Sequence, residues 1–531
     1  MHRYRCLCGI FCAVVLVWQH LRQAPPAVAA EAAARAAAAN AITAADTKRH
    51  VDALADDTFE GREAGSRGNR AAAGYIIEHC KKLGIPGGGP KGSYFQPFGN
   101  YRNLLALAEG SDPELKKQVV VISAHYDHVG YGTNRNSYGP IGRIHNGADD
   151  NASGVAGLME VMDAVAQLPE RPKRSILFAF WDGEEKGLLG SQHWVEHPTV
   201  ELSRVPIMLN VDMIGRLRNG KVEVFGIRTS PGLRRLLSQL NDSELLQMDF
   251  DWDIRADSDH HPFFARNVPF LMLHTGKHSE YHRPSDDAEL INNDGLSDVS
   301  RLMFHVLVEL ADAPQLGPFR AASRGESRNL QRSRERPWAL PPGRLGVRWD
   351  DELAKKSGQI VVTAVTPGSA AALAGVRAGD RFVKFAGQDV NGGDAFRLAV
   401  LAAESPAQAV LERAGSETPI DVKIELVGKP ARLGIAWRTD DAEPATVIVS
   451  RVIPGSAGDL AGVRVGDRIY RIGGQEFADA EAFRQIAVDA RGILPLEIER
   501  AGRVQTVEVK LVPAAPAAAG QADAPPTTEQ P

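Results

Sequence analysis

Residues 119–128 read VVVISAHYDH, a continuous apolar run that ends in two histidines and an aspartate. A short apolar run rich in valine and isoleucine predicts a strand that is buried on both faces of a sheet. His125, Asp127 and His128 then lie where the strand leaves the sheet. This stretch therefore predicts a central strand with candidate functional side chains at its carboxyl end.

Three further apolar runs have the same form, at residues 175–181, 205–211 and 268–274. Between the first two of the four runs, apolar side chains recur with the spacing of an amphipathic helix, at Val155, Leu158, Met159, Met162 and Val165. Strands that alternate with helices are typical of a largely parallel or mixed sheet with helices on both faces. We therefore predict an α/β fold for this part of the chain.

Histidine and acidic residues cluster around the ends of the predicted strands. Glu184 and Glu185 follow the second strand, Asp212 ends the third, and His282 follows the fourth, while Asp149 and Asp150 come just before the predicted helix. The carboxyl ends of parallel strands meet at one crevice, where ligands bind in open α/β sheets. Any one of these residues alone is more often a turn residue or a helix cap, but the set together is typical of a ligand site.

The chemistry of this set favours a metal. Imidazoles and carboxylates suit a borderline divalent ion such as zinc. Three of the four cysteines, Cys6, Cys8 and Cys12, lie in the first 30 residues, so a structural cysteine cage is excluded. The residues therefore predict a catalytic metal site.

Seven short segments, in order along residues 54–311, resemble the M28 family of zinc aminopeptidases, the bacterial leucyl-aminopeptidase type. They are GREAG at 61–65, AHYDH at 124–128, GADDNASG at 147–154, DGEE at 182–185, NVDM at 210–213, SDH at 258–260 and YHRPSD at 281–286. The resemblance implies a zinc-peptidase-like mixed sheet between layers of helices, and a substrate class of peptide or protein N-termini.

The resemblance also implies two zinc ions per chain, with the ligands His125, Asp150, Glu185, Asp212 and His282. Asp150 bridges the two ions, His125 and Asp212 complete one site, and the other two ligands complete the second. The catalytic residues implied are Glu184, the general base that takes a proton from the attacking water, and Asp127, which orients the imidazole of His125.

The sequence departs from the family at one place. Some members stabilise the oxyanion with a tyrosine between two disulfide-bonded cysteines, whereas residues 254–257 read IRAD. Arg255 and Tyr281 both remain candidates for the missing donor. The other nearby histidines are interpreted as hydrogen-bonded structural residues, because the set of ligands is already complete: His128, His145, His260, His261 and His278.

A repeat dominates the second half of the chain. Residues 367–381 (PGSAAALAGVRAGDR) recur as residues 454–468 (PGSAGDLAGVRVGDR), and RLGV at 344–347 recurs as RLGI at 432–435. The repeats resemble bacterial protease-associated PDZ domains, which implies two small, mostly β domains at 342–428 and 429–512. In that fold a peptide C-terminus binds the loop and adds as a strand. Arg344 and Arg432 stand at a loop position often held by a smaller residue, so peptide binding and a purely structural role both remain open.

Composition and the chain ends complete the domain prediction. The 531 residues carry 61 basic and 66 acidic side chains, a net charge of −5, which argues against a nucleic-acid partner. The 44% hydrophobic and 24% charged content argues against an integral membrane protein. Basic residues before the apolar run 6–18, followed by AVA at 27–29, predict a cleaved signal peptide at 1–30, and hence a periplasmic or secreted protein. We further predict a peptidase domain at 31–312, a solvated basic linker at 313–341 and a disordered tail at 513–531.

Three functions are consistent with these features. The first is an exported di-zinc aminopeptidase whose PDZ pair binds a peptide or a partner. The second is a zinc acyltransferase of the glutaminyl-cyclase kind, which uses a single metal. The third is a peptide-binding scaffold with a vestigial peptidase domain, which the retention of all the ligand residues disfavours.

Overall fold

The computed structural model describes residues 26–512. Most of the predicted signal peptide and the whole predicted tail therefore lie outside the described residues. The chain divides into two compact units. The first runs to Gln331 and takes in residues 501–503, and the second holds the remaining residues from Arg332 onward.

The first unit is built on an eight-stranded mixed sheet with the order β1-β2-β4-β3-β5-β8-β6-β7. Strands β3, β4, β5 and β8 are parallel neighbours, whereas β1, β2 and β6 introduce antiparallel pairs. The strands are β1 (Phe95–Phe98), β2 (Tyr101–Ala108), β3 (Val119–His125), β4 (Ser175–Trp181), β5 (Met208–Val211), β6 (Lys221–Phe225), β7 (Gln247–Phe250) and β8 (Phe270–His274).

Helices cover both faces of this sheet. They are α1 (Pro26–Asn40), α2 (Ala44–Leu54), α3 (Arg67–Lys82), α4 (Gly154–Ala166), α5 (Leu189–Glu196), α6 (Leu233–Leu240), α7 (His260–Ala265) and α8 (Asn293–Asp312), with α9 (Arg328–Arg334) at the end of the unit. Side-chain caps begin several of them, as where Ser66 accepts the backbone N–H of Asn69 at the start of α3.

Strand β3 shows why both faces must be covered. Its seven residues are all buried, and successive side chains point to opposite faces. Val120 and Ile122 pack in one core with residues of α4 and α8, while Val121 packs in a second core with Trp194 of α5 and residues of α7. The predicted α/β sandwich is confirmed, and the four predicted strands correspond to β3, β4, β5 and β8.

The arrangement places four carboxyl ends at one edge. Because β4, β3, β5 and β8 are adjacent and parallel, the chain leaves each of them on the same side of the sheet. The loops after these strands carry the histidines and carboxylates singled out in the sequence. This edge therefore assembles the candidate site.

The segment predicted as a solvated linker is partly packed. Glu326 accepts hydrogen bonds from Arg228 at 2.7 and 2.8 Å and from Arg320 at 2.8 Å, and its side chain is buried. Arg328 binds Asp251 at 3.0 Å. The first unit consequently extends beyond residue 312, to Gln331. It does so because the arginines of this segment bind acidic and carbonyl groups of the unit.

The second unit holds two antiparallel sheets that follow the sequence repeat. The first has the order β14-β13-β11-β10-β9, with β12 paired to β11, and the second has the order β15-β16-β17-β18-β19. The elements are β9 (Val347–Trp349), α10 (Asp351–Ser357), β10 (Ile360–Val365), α11 (Ala370–Leu373), β11 (Arg381–Phe385), β12 (Gln388–Asp389), α12 (Gly393–Ala402), β13 (Ala407–Glu412), β14 (Ile420–Ile424), β15 (Ile435–Asp440), β16 (Glu443–Val452), α13 (Ala457–Leu460), β17 (Arg468–Ile472), α14 (Ala480–Asp489), β18 (Ile493–Arg500) and β19 (Arg503–Lys510).

The two loop arginines act as helix caps. Arg344 is buried and donates to the carbonyls of Val400 and Leu401, at the end of α12, at 2.7 and 2.9 Å. Arg432 donates to the carbonyl of Ala490, just after α14, at 2.9 Å. A cation at a helix C-terminus satisfies carbonyls that lack partners within the helix. The unusual loop residue therefore stabilises the repeat itself.

Between residues 26 and 512, no helix combines the length and apolar character that a membrane span requires. Cys80 lies on the inward face of α3, is 2% exposed, and burial raises the pKa of its thiol to about 12. Its interpretation as a core residue on the buried face of a helix is confirmed.

Candidate metal centre

His125, Asp150 and Asp212 meet at the carboxyl edge of the sheet. His125 ends β3, Asp212 follows β5, and Asp150 lies in the turn before α4. The Nε2 atom of His125 is 3.3 Å from Oδ1 of Asp150 and 3.4 Å from Oδ1 of Asp212. All three side chains are buried. One imidazole and two carboxylates therefore converge on one small volume.

A second cluster meets the first at Asp150. The Nε2 atom of His282 is 3.0 Å from the other oxygen of Asp150 and 3.2 Å from Oε2 of Glu185. His128 joins this cluster, with its Nδ1 atom 2.9 Å from Oε1 of Glu185. The structure thus brings together all five predicted ligands and adds His128, which sequence reasoning had set aside as a structural residue.

The two predicted catalytic residues lie beside the clusters. The carboxylate of Glu184 lies within 4.8 Å of the ligand atoms of His125 and Asp212. Asp127 contacts His125 chiefly through its main-chain carbonyl, 3.2 Å from Nδ1, while its carboxylate is 3.8 Å away. That carboxylate instead accepts the backbone N–H groups of Glu184 and Glu185. Asp127 therefore supports the glutamate pair as well as the histidine.

Residues of the sequence motifs that had no assigned role hold the ligands in place. Ser258 donates its hydroxyl to Oδ2 of Asp212 at 2.6 Å. The carboxylate of Asp286 accepts the backbone N–H of Asp150 at 3.1 Å. Arg62 is fully buried and donates to the carbonyl of Gly147 at 2.9 Å. Their presence in the motifs was the signal that could have identified them, since buried polar groups need partners.

Two backbone positions show that the site is held tightly. Gly147 has φ of 54°, and a Cβ atom there would lie 2.4 Å from the ring of His128 and 2.2 Å from the carbonyl oxygen of Asp150. His282 also has a positive φ, 53°, which is uncommon for a residue other than glycine. Such strain persists where surrounding structure imposes it, and it is concentrated at functional sites.

Burial and crowding shift the acidic groups of the site. Burial raises the pKa of Glu184, and the neighbouring carboxylate of Glu185 adds to this effect. Burial also raises the pKa of Asp259 to about 7 and that of Asp286 to about 6. Many carboxylates in one buried volume repel one another and are costly to desolvate. A divalent cation bound among them would relieve both penalties.

The donor set fits zinc. Imidazole nitrogens and carboxylate oxygens are ligands for this ion, and the structure groups them in two sets that share the Asp150 neighbourhood. Within residues 26–512, the Nε2 atoms of His128 and His282 are buried and make no hydrogen bond of acceptable geometry. For His282, this same atom lies 3.0 Å from Asp150 and 3.2 Å from Glu185, as expected of a nitrogen placed to bind an ion between carboxylates.

The two candidate oxyanion donors differ in position. The ring of Tyr281 stacks on His282 with centroids 3.9 Å apart, and the residue is only partly exposed. Arg255 is 58% exposed, and its nearest acidic partner is Asp253 at 3.8 Å. Tyr281 therefore lies directly against one of the predicted ligands.

Three of the remaining histidines have hydrogen-bond partners. His145 contacts the hydroxyl of Ser137 at 2.7 Å, and His260 contacts the carbonyl of Arg255 at 3.0 Å. The Nδ1 atom of His278 contacts Oε2 of Glu280 at 3.2 Å. Their hydrogen-bonded, structural interpretation agrees with these contacts.

A comparison with protein families agrees with this geometry. The model of Peptidase family M28 matches residues 103–307, a range that contains both clusters. The first unit contains an M28 peptidase domain. Models of the PDZ domain match residues 361–411 and 421–499, so the M28 peptidase domain is followed by two PDZ domains.

Several known proteins are similar to part of the chain. Leupeptin-inactivating enzyme 1 of Streptomyces exfoliatus is 28% identical over 50% of this chain and 56% of its own length. Aminopeptidase YwaD of Bacillus subtilis is 26% identical over 36% of this chain and 41% of its own. The chain thus spans about half or less of the length of these curated relatives. The solved structure of the Legionella pneumophila LapA aminopeptidase covers 52% of this chain and 75% of its own, with 20% identity and a TM-score of 0.44.

Proposed function

We propose that the protein is an exported aminopeptidase that uses two zinc ions to remove N-terminal residues from peptides. The observation that carries this proposal is the meeting of two imidazole–carboxylate clusters at Asp150, with Glu184 beside them. The aminopeptidase activity named for several relatives is consistent with it.

The proposed ligands divide between the two positions. His125 and Asp212 would hold one ion, Glu185 and His282 the other, and Asp150 would serve both. His128 is a further candidate at the second position, because it lies against Glu185. Ions bound there would polarise the scissile carbonyl and lower the pKa of water.

The chain supplies the other parts of the reaction. Glu184 accepts the proton of the attacking water, since burial raises the pKa of its carboxyl group and so makes the carboxylate a stronger base. Tyr281 donates its hydroxyl to the carbonyl oxygen as negative charge develops there. The carboxylate of Asp127 accepts the backbone N–H of Glu184 and so holds Glu184 in position.

Metal analysis combined with a substrate panel tests this function. We expect at least two zinc equivalents per chain and hydrolysis of aminoacyl anilides. One essential metal with cyclisation of N-terminal glutamine would favour the glutaminyl-cyclase-like alternative. Absence of turnover on every substrate in zinc-loaded protein would favour the scaffold.

We also propose that the PDZ pair binds peptide C-termini. Strands β9 and β15 lie at the edges of their sheets and directly follow the Leu-Gly loops of the repeat, so each has an edge to which a peptide strand can add. The alternative is a structural spacer. Fluorescence anisotropy with peptides that end in a free carboxylate, against the same peptides with a C-terminal amide, separates the two: equal binding or no binding contradicts the proposal.

We also propose that the protein is periplasmic or secreted. The basic and apolar pattern of residues 1–30 supports export and cleavage near Ala30. N-terminal sequencing of protein recovered from the periplasm or the medium tests this. Mature protein that begins at Met1 would contradict it.

A further inference from the structure

A second group of potential metal ligands lies among the helices of the first unit, apart from the predicted zinc ligands. His50 belongs to α2, His79 to α3, and Glu160 and Asp163 to α4. The sequence analysis gives none of these four residues a role. Because three separate helices contribute, any ion held here would join elements that are far apart in sequence.

Three of the four side chains are close enough to share an ion, and the fourth, Glu160, contacts one of them. The Nε2 atom of His50 is 3.2 Å from Oε1 of Glu160, and Nε2 of His79 is 2.9 Å from Oδ2 of Asp163. The two rings are 5.1 Å apart and nearly perpendicular, at 87°. Ligand atoms of His50, His79 and Asp163 all lie within 4.8 Å of one another.

These atoms lack the hydrogen bonds that their distances would suggest. His50 and Glu160 are each 3% exposed. In the part of the chain that the structure describes, the Nε2 atoms of both histidines and Oε1 of Glu160 have no hydrogen-bond partner. Buried polar atoms without partners are rare and destabilising, so they call for a missing ligand. His282 of the proposed zinc centre shows the same feature, with Nε2 close to two carboxylates and without a hydrogen bond.

The second nitrogen of His50 has a fixed partner. Its Nδ1 atom is 2.7 Å from the hydroxyl of Tyr75. A ligating histidine usually donates its other N–H to an oxygen, which fixes the tautomer and leaves the free nitrogen for the metal. Tyr75 can accept that hydrogen bond. The Nε2 atom of His50 is then unprotonated, and its lone pair faces the cluster.

The spacing suits a tetrahedral ion. With bonds of about 2.0–2.1 Å, neighbouring ligand atoms of a tetrahedral zinc site are roughly 3.3 Å apart. The observed 2.9 and 3.2 Å contacts lie close to this value. Two imidazoles also favour zinc, nickel or cobalt over calcium or magnesium, which prefer oxygen ligands.

We propose that His50, His79 and Asp163, assisted by Glu160, bind an additional zinc-class divalent ion that joins α2, α3 and α4. The competing explanation is a pair of separate ion pairs, His50 with Glu160 and His79 with Asp163. Arg49, 3.7 Å from Glu160, contributes positive charge under either explanation. Only the metal site predicts that changing one histidine removes a bound ion.

His79→Gln is the most informative variant, because the ring of His79 is 15% exposed and its loss leaves no large cavity. The matched control is His305→Gln, whose ring is 19% exposed and lies 3.8 Å from Asp242. Asp163→Asn keeps the size of its side chain and provides an independent test. All three are made in the full chain.

Each protein is stripped with a chelator, reloaded with zinc, and its metal content measured per chain by mass spectrometry. We expect His79→Gln and Asp163→Asn to bind one equivalent fewer than the unsubstituted protein and the control. We also expect zinc to raise the melting temperature of these two variants less. The comparison is a difference between variants, so it stands whether the catalytic centre holds one ion or two.

Equal metal content in all four proteins would overturn the proposal, as would loss of an equivalent from His305→Gln. Turnover of a small anilide per folded chain should stay unchanged in both site variants, since neither residue belongs to the catalytic centre. Loss of activity together with full metal content would also overturn it.

Discussion

The carboxylate of Asp127 accepts the main-chain N–H of Glu184 at 3.1 Å. Asp127 follows β3 and Glu184 follows β4, so this hydrogen bond joins the carboxyl ends of two parallel strands. The same carboxylate also accepts the N–H of Glu185 at 3.4 Å. One buried side chain therefore positions both the proposed base and a proposed metal ligand.

The two adjacent glutamates should behave differently. Glu184→Gln removes a proton acceptor and leaves the other donors in place, so we expect the rate to fall by about 10²- to 10⁴-fold with metal content nearly unchanged. Glu185→Gln replaces an anionic ligand with a neutral amide, so it should lose roughly one zinc equivalent and recover some activity in excess zinc.

Rate and metal content must be measured on both variants in one buffer. Loss of metal from Glu184→Gln with retention by Glu185→Gln would reverse the two roles. Full activity and metal in both variants would mean that the site is wrongly placed.

Ser258→Ala should weaken metal binding without changing the ligands. The hydroxyl of Ser258 donates to Asp212 at 2.6 Å and also accepts a hydrogen bond from Asn210. Loss of such a supporting contact typically reduces metal affinity by about 10- to 100-fold. Competition with a chromophoric chelator measures this, and Ser175→Ala, a buried serine bound to the carbonyl of Lys116, is the control that should leave the affinity unchanged.

Tyr281→Phe should lower kcat much more than it raises KM. Removal of one oxyanion donor costs about 10²- to 10³-fold when the donor acts only on the developing charge. Tyr138→Phe is the matched control, because Tyr138 also neighbours His282 but is 65% exposed. If Arg255→Gln produced the large kcat effect instead, the donor would be Arg255.

Glu326→Gln should destabilise the first unit in a pH-dependent way. Burial tends to raise the pKa of Glu326, but hydrogen bonds from Arg228 and Arg320 outweigh it, and the pKa lies below its usual value. A group with a lowered pKa stabilises the fold above the unfolded value of about 4.3, and this stabilisation is lost as the pH falls through the folded value.

We therefore expect Glu326→Gln to lower the free energy of unfolding by on the order of 2 kcal/mol at pH 5 to 8, because it removes the anionic acceptor of the buried hydrogen bonds from Arg228 and Arg320. The difference should shrink below about pH 4. Urea unfolding at several pH values measures it, with the exposed Glu114→Gln as control. A difference that grows on acidification would contradict the assignment.

The melting temperature of a truncated chain should depend on the residue at which it ends. A chain that ends after Arg334 keeps the contacts of Glu326, Arg324 and Arg328 with the first unit, whereas one that ends at Asp312 loses them. We expect the longer form to melt at a higher temperature and to hydrolyse small anilides at close to the full rate. Equal melting temperatures would mean that residues 313–334 contribute nothing to the unit.

Much of the fold could be predicted because the central strands are buried on both faces. Strands β3 and β4 consist entirely of buried residues, so each forms a continuous apolar run. Strand β6 has buried residues only at alternate positions and lies near the sheet edge, which gives no such run. The two PDZ domains could be predicted for a different reason, because the two copies of one pattern can be recognised in the sequence.

Single residues were harder to predict. His128 lies three residues beyond His125, which ends β3, and the sequence cannot show that the chain turns the imidazole of His128 toward Glu185. In the sequence, the arginines of residues 313–341 resemble those of a solvated linker. An arginine that faces solvent and an arginine in a buried ion pair cannot be told apart by residue type. Folding places Glu326 between Arg228 and Arg320, and these buried ion pairs distinguish a packed segment from a solvated linker.

Residue types and their spacing are enough to identify the available chemical groups and the strands that carry them to the sheet edge. The sequence also set the order of the domains, because burial, periodicity and repetition are properties of the chain alone. The packing of the folded chain selects which of these groups lie close enough to share an ion. His50 and Asp163 are far apart in sequence, and the packing of α2 against α4 brings their side chains into one cluster. Contacts of this kind depend on distances in space, and those are fixed only when the helices pack.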